Sequence, residues 1–282
     1  MAAAKCDNVA LMDLLRDRER LRGYALCGEP RCGSTYLARL CASTGLLGHP
    51  REYFSGLDRV RSANADPAAH LAQWVGRTMS PNGVYGLKIF ADQFDLVDRS
   101  GWAESLPNLT FVHIERLNVL EQAISLVRAR QTLAFETVQA AQREPVYSRR
   151  SIASALERIA LNQARWSCWF ARNGIAPLRL TYEGIASHPR GAVDLIAGRV
   201  GVEAPAPIEP AMAIQRDSLS DAWRARFLAE SRDLGYLDRP AARGRPWRIR
   251  LEGLRAGLRR IYRAEPRPPR IRKEAGSPLS RG

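Results

Sequence analysis

Residues 24–37 read YALCGEPRCGSTYL: an apolar run, a loop with a glycine at each end, and the start of a helical pattern. The run 24–27 predicts a short buried strand. The helical spacing begins at Ser34 and ends at Gly45, and glycine is favoured just beyond a helix C-terminus. Strand, glycine-bounded loop and helix form half of a βαβ unit, so this stretch predicts an α/β protein.

The rest of the chain continues the alternation of strands and helices. Apolar runs predict strands at residues 83–90, 109–114 and 177–182, and helical spacing predicts helices at about 119–133 and 150–172. Strands that alternate with helices pair in parallel and are covered on both faces. We therefore expect a mostly parallel central sheet flanked by helices, with a phosphate-loop-like turn after the first strand.

The positive charge of the sequence is concentrated at its C-terminal end. The net charge is +14, and residues 240–282 hold thirteen Lys or Arg and three acids, which leaves +4 for residues 1–239. A mildly basic body suits an enzyme with an anionic substrate. We therefore predict an enzymatic domain at 1–239 and a basic tail at 240–282.

Two structures are open for the basic tail. One helical stripe with arginines on its flanks consists of Trp247, Leu251, Leu254, Leu258, Ile261 and Tyr262. This pattern is typical of an amphipathic helix on an anionic membrane surface. Three prolines at 266, 268 and 269 instead favour a disordered extension. Charge is the only support for nucleic-acid binding, so no nucleic-acid partner is expected.

The cysteines and the N-terminus bear on the cellular compartment. The five cysteines, Cys6, Cys27, Cys32, Cys41 and Cys168, contain no CxxC pair, which argues against a disulfide scaffold or a zinc site. Acids and arginines between residues 7 and 18 interrupt any apolar leader. We therefore expect a reduced, cytoplasmic protein without a metal.

The loop departs from the common nucleotide-binding pattern at one position. Gly28 and Gly33 have the spacing of a phosphate loop, but Ser34 stands where a triphosphate-binding loop carries Lys. The nearest cation is Arg31, and no Mg²⁺-binding Asp is evident at a strand end. A 5′-phosphosulfate carries less charge than a triphosphate. Arg31, the loop N–H groups and the hydroxyls of Ser34 and Thr35 would suffice to bind it without a metal.

The loop also resembles the 5′-phosphosulfate loop of bacterial sulfotransferases, in particular the family typified by trehalose 2-sulfotransferase. That family has Arg-Ser-Gly-Ser-Thr here, so Arg31, Gly33, Ser34 and Thr35 match, and Cys32 replaces a serine. The resemblance implies that these residues bind 3′-phosphoadenosine 5′-phosphosulfate (PAPS). It further implies transfer of a sulfuryl group to a carbohydrate or glycolipid hydroxyl, and a homodimer.

A second motif follows the loop helix. Residues 48–54, GHPREYF, resemble the family's Gly-x-Pro-x-Glu-Phe-Phe segment. The match implies that Glu52 takes the proton from the attacking hydroxyl, a step that requires a base. His49 is the second candidate because imidazole suits this role at neutral pH, although it lies at a variable position of the motif.

A third motif, at residues 111–132, resembles the 3′-phosphate site of sulfotransferases. There an Arg at a strand end and a Ser nine residues later bind the phosphate, and Arg116 and Ser125 stand at that spacing. A bidentate guanidinium and a hydroxyl suit this anion. Arg128 and Arg130 are expected on the surface of the helix.

Three further residues have less specific patterns. Lys88 lies on a predicted strand, where it either contacts the sulfuryl group or pairs structurally. Tyr182 and Glu183 resemble the Tyr-Glu that ends a late strand in many sulfotransferases. We expect Tyr182 to pack near the loop and Glu183 to cap the next helix.

These motifs predict a PAPS-dependent sulfotransferase with Glu52, Arg31 and Lys88 as its catalytic residues. The enzymatic alternative is a phosphate-loop kinase or NTPase. The alternative from another class is a non-catalytic protein that binds anionic surfaces through its basic tail.

Deleting residues 240–282 is expected to abolish co-sedimentation with anionic lipid vesicles, because the tail holds most of the excess positive charge. Neutral vesicles are the control. Unchanged co-sedimentation of the truncated chain would contradict the membrane interpretation.

Overall fold

The computed structural model describes residues 19–52, 75–93, 106–135, 143–203 and 218–231. The chain divides into two compact units, Met1–Glu230 and Ser231–Gly282. Apart from Ser231, the second unit lies outside the described residues, as does the predicted stripe of the basic tail.

A five-stranded sheet forms the centre of the first unit. In chain order its strands are β1 (Arg22–Gly28), β2 (Arg51–Glu52), β3 (Val84–Phe90), β4 (Leu109–Glu115) and β5 (Leu178–Thr181). Their spatial order is β2-β3-β1-β4-β5, and every neighbouring pair is parallel. The predicted parallel sheet is confirmed. β2 is not predicted from the sequence, because a two-residue strand is too short to show a hydrophobic pattern.

Helices follow the strands as predicted. Those in the described ranges are α1 (Ser34–Ser43), α2 (Val119–Thr132), α3 (Arg149–Arg172), α4 (Tyr182–Ser187), α5 (Pro189–Val200) and α6 (Ser218–Glu230). Short helical turns also occur at 75–78 and 91–93. Among the helices in these ranges, none combines the length and the apolar character that crossing a bilayer requires.

The apolar residues of β1 divide between two clusters. Tyr24 and Leu26 pack with residues of α1 and α5. Ala25 and Cys27 pack on the opposite face of the sheet with Trp166 and other residues of α3. A strand covered on both faces must be apolar at consecutive positions, which explains the uninterrupted run that begins the sequence motif.

The carboxyl ends of the strands meet at one edge of the sheet. Gly28 at the end of β1 lies opposite Phe90 of β3 and Ile114 of β4. At the outer strand, Glu52 lies opposite Lys88. In open parallel sheets, ligands bind at this edge, at the point where the strand order changes direction. Here that point is the end of β1, between β3 and β4.

Candidate functional site

The loop after β1 turns sharply before α1. Arg31 and Gly33 have positive φ values of 69° and 88°. Gly33 is the N-cap of α1 and offers no side-chain cap, and the first turn of α1 contains no acid. The first N–H groups of the helix therefore point their partial positive charge out of the helix end, which favours an anion there.

Gly33 also lies directly against Tyr182. A Cβ atom placed on Gly33 would be 2.6 Å from Cδ2 of Tyr182. The predicted packing of Tyr182 near the loop is confirmed, and position 33 requires glycine both for its φ value and for space.

Buried side chains hold the loop from its inner side. Gln122 Nε2 donates to the Pro30 carbonyl at 3.0 Å, and Trp166 Nε1 donates to the Gly28 carbonyl at 3.2 Å. The Cys32 side chain is fully buried in the cluster beneath α1, and burial raises the pKa of its thiol. Cys32 therefore packs beneath the loop instead of presenting its side chain to a ligand.

On the β4 side of the loop, Arg31 reaches α2. Its Nε donates to Ser125 Oγ at 2.9 Å, and its Nη1 donates to the Phe135 carbonyl. Burial and the neighbouring charge of Arg116, with a smaller contribution from Arg128, lower the pKa of Arg31. The structure thus brings together Arg31, Arg116 and Ser125, which come from three separate segments of the sequence.

Arg116, at the end of β4, has contacts on two sides. Its Nη2 pairs with Glu121 Oε2 at 2.9 Å, and its guanidinium lies 4.6 Å from the ring centroid of Tyr182. Its Nε is buried and has no hydrogen-bond partner among the described residues. A donor left in this state favours an additional acceptor at the site.

Arg128 joins this cluster, contrary to the prediction that it lies on the helix surface. It is half-buried, donates to Ser220 of α6, and contributes to the charge around Arg31. Arg130 is exposed, as predicted. The signal for Arg128 was its position three residues after Ser125, which places both on one face of α2.

A second cluster lies on the β3 side of the loop. Lys88 is buried, and its Nζ donates to Thr35 Oγ1 at 3.0 Å. Glu52 is the residue of β2 opposite Lys88, and Gln93 Nε2 donates to Glu52 Oε1 at 2.6 Å. A cation, a hydroxyl and a carboxylate therefore come together beside the start of α1. His49 is exposed and precedes β2, whereas Glu52 ends it.

A buried acid within the loop was not singled out from the sequence. Glu29 is 3% exposed, and burial raises its pKa to about 7. Asn162 of α3 donates through Nδ2 to Glu29 Oε2 at 2.9 Å and to Asp92 Oδ1 at 3.0 Å, and Arg165 donates to Asn162 Oδ1 at 3.2 Å. The loop is thereby linked through α3 to the turn that follows β3.

Glu183 does not cap the next helix as expected and instead binds the segment that leads into α2. Its carboxylate accepts hydrogen bonds from the N–H groups of Leu117 and Asn118, at 3.0 and 3.2 Å, just before α2. Although burial raises the pKa of Glu183, these bonds outweigh it, and its pKa lies below the ordinary value. The next helix, α4, is capped instead by Thr181, which accepts from the Gly184 N–H.

The fold and the site define an α/β protein with a glycine-bounded, positively charged loop at the carboxyl edge of a parallel sheet. Within the described ranges, no group of three or more His, Cys, Asp or Glu is arranged to hold a metal ion. The positive groups around the loop instead come from arginine, lysine and helix N–H groups.

Comparison with known proteins places the chain in a family. The family model of the Stf0 sulphotransferases matches residues 23–230, so the protein belongs to the Stf0 sulphotransferase family. It is 30% identical over 253 residues to a trehalose 2-sulfotransferase of Mycobacterium tuberculosis (strain ATCC 35801 / TMC 107 / Erdman), covering 77% of this chain and 91% of the relative.

Further similarities are more distant. The chain is 26% identical over 254 residues to a trehalose 2-sulfotransferase of Mycolicibacterium smegmatis (strain ATCC 700084 / mc(2)155), covering 72% of this chain and 93% of the relative. Among solved structures, a sulfotransferase from Alicyclobacillus acidocaldarius matches with a TM-score of 0.43 and 16% identity, over 76% of this chain and 97% of the other.

Replacing Glu29 with Gln is expected to stabilise the protein at pH 8 but not at pH 4.5. The folded-state pKa of about 7 lies above the ordinary value of 4.5, so the wild type loses stability as the pH rises between these values. The amide keeps the donor and acceptor of the protonated acid without the charge. The gain at pH 8 should be about 2–3 kcal/mol in urea unfolding.

The control for this measurement is Glu157→Gln, which removes an exposed acid from α3. An equal effect of Glu29→Gln at both pH values would contradict a raised pKa for Glu29.

Proposed function

We propose that the protein transfers a sulfuryl group from PAPS to a carbohydrate hydroxyl by in-line displacement. The observation that carries this proposal is the pair of clusters on opposite sides of the loop. Arg31, Arg116 and Ser125 lie on the β4 side, and Lys88 and Glu52 lie on the β3 side. This division suits a donor with a phosphate at one end and a reactive phosphosulfate at the other.

The residues present fit such a donor. The guanidinium groups of Arg31, Arg116 and Arg128 gather here, and the buried Nε of Arg116 lacks a protein partner among the described residues. A phosphate dianion supplies acceptors and opposite charge to such a group. Arg116, Ser125, Arg31 and Arg128 would hold the 3′-phosphate. Arg31 is thereby assigned to this end of the donor instead of to the reacting centre.

The phosphosulfate end would be held by the start of α1. Gly33, Ser34 and Thr35 supply helix N–H groups there, and Lys88 adds a full positive charge through its contact with Thr35. PAPS supplies an activated sulfuryl group with a nucleotide bisphosphate as the leaving group. Lys88 and the α1 N-terminus stabilise negative charge that develops on that leaving group, the kind of contribution that is usually the largest in catalysis.

Glu52 acts as the base in this proposal. Glu52 lies opposite Lys88. In the proposal, the proton acceptor is therefore next to the cation that stabilises the leaving group. Glu52 accepts the proton of the acceptor hydroxyl as the new S–O bond forms. Glu52 is favoured over His49, because His49 lies before β2, away from the carboxyl edge of the sheet.

The curated relatives support a carbohydrate acceptor. Both are named trehalose 2-sulfotransferase, and trehalose is therefore the first acceptor to test. A cytoplasmic location, a homodimer, independence from metal and membrane contact through the tail stay predictions.

Arg116→Ala is expected to weaken binding of adenosine 3′,5′-bisphosphate by roughly 2–4 kcal/mol, a factor of about 30 to 1,000, because it removes a half-buried charged partner of the phosphate. The control Arg130→Ala, which removes an exposed arginine of α2, should bind like the wild type. Calorimetric titration without metal measures both.

The same titration tests the proposed donor. The wild type should bind the bisphosphate without metal and far more tightly than ATP. Preference for Mg²⁺–ATP would favour the phosphate-loop kinase or NTPase. Unchanged binding of the bisphosphate by Arg116→Ala would contradict the assignment of Arg116 to the 3′-phosphate.

Glu52→Gln is expected to lower kcat for transfer from PAPS to trehalose by roughly 10²- to 10⁴-fold, since it removes the base but preserves the shape of the side chain. Bisphosphate affinity should stay at the wild-type value. His49→Gln is the matched variant and should change kcat less than about threefold; the reverse pattern would assign the base to His49.

A further inference from the structure

We propose that Gln93 is a positioning residue that orients Glu52 for catalysis; this inference rests on the proposed function. Gln93 lies in the turn 91–93 directly after β3 and is 8% exposed. Its Oε1 accepts from the Phe90 N–H at 3.0 Å, and its Nε2 donates to Glu52 Oε1 at 2.6 Å. One buried amide thus connects the end of β3 to the base.

The chemistry of the contact fixes the orientation of the amide. A backbone N–H can only donate, so the side of Gln93 that faces Phe90 must be its carbonyl oxygen. The NH₂ group is then left facing Glu52, where it requires an acceptor. An ionised carboxylate offers acceptors at both oxygens. The arrangement therefore fixes the direction of the Glu52 carboxyl group.

The turn that carries Gln93 is itself fixed to the loop. Asp92 accepts from Asn162 Nδ2 at 3.0 Å, and the same nitrogen donates to Glu29 in the loop at 2.9 Å. Arg165 donates to the other end of the Asn162 amide and fixes its orientation. Glu52 is therefore positioned relative to the loop through Gln93, Asp92 and Asn162. β2 by itself contributes only two residues of pairing to hold Glu52.

A purely structural role for Gln93 predicts a different result from a positioning role. In the structural case, Gln93 matters because it accepts from the N–H of Phe90, and any acceptor of similar length replaces it. In the positioning case, the donor to Glu52 matters. Gln93→Glu separates the two, because a carboxylate accepts from Phe90 but does not donate to Glu52.

The experiment compares Gln93→Glu and Gln93→Met with the wild type in transfer from PAPS to trehalose. Both variants should lower kcat by roughly 10- to 100-fold, the range expected for a misplaced catalytic group, with KM for PAPS and bisphosphate affinity unchanged. Gln163→Met on α3 is the control for the same substitution elsewhere. Wild-type kcat in Gln93→Glu would overturn the positioning role.

A second readout needs no activity. In the double variant Glu52→Gln with Gln93→Glu, the donor and the acceptor change places, so the thermal midpoint should recover towards the wild type from the lower value of Gln93→Glu. If the midpoint shifts of the two substitutions simply add, while the wild type still transfers the sulfuryl group, the role of Gln93 is overturned and the proposed function is not. Failure of the wild type to bind the bisphosphate or to transfer would overturn the proposed function, whatever the coupling between the two positions.

Discussion

β1 occupies the middle of the sheet, and the place where it ends determines where the loop runs. A Cβ at Gly28 would lie 2.7 Å from the Ile114 carbonyl oxygen and 2.9 Å from Cys32 Sγ. The absence of a side chain lets the loop pass close to the end of β4, and this route brings Arg31 to Ser125 of α2. Because β3 lies on the other side of β1, Lys88 reaches α1 from the opposite direction. Both clusters therefore lie next to the end of β1, one on each side of it.

The two clusters differ in their balance of charge. On the β4 side, three arginines lie near the two acids Glu121 and Glu183, and burial together with the charge of Arg116 lowers the pKa of Arg31. On the β3 side, Lys88 and Glu52 are neighbours of opposite sign. Partly buried like charges lower the stability of a fold unless an oppositely charged ligand compensates them. The first cluster is therefore suited to holding an anion, and the second to chemistry that moves a proton.

The sequence was informative where the relevant residues are close together in the chain. The apolar run 24–27 and the glycines around the loop predicted the strand, the turn and α1. The motif spacing singled out Arg116 and Ser125, and Arg31 lies next to both of them in the structure. The errors and omissions concern partners distant in the chain. The Glu183 carboxylate accepts from the N–H groups of Leu117 and Asn118 just before α2, and Arg128 donates to Ser220 of α6. A polar residue in a helical pattern, such as Asn162, does not indicate which distant groups its amide will meet.

The contact between Gly33 and Tyr182 constrains how this sequence can change over evolutionary time. The ring of Tyr182 fills the space that a side chain at position 33 would need, and the guanidinium of Arg116 packs over the same ring. A larger residue at position 33 would be strained at a φ of 88°, and it would also require a smaller residue at 182, which would remove the surface beneath Arg116. Contacts between three distant parts of the chain therefore restrict which substitutions each of these positions can accept.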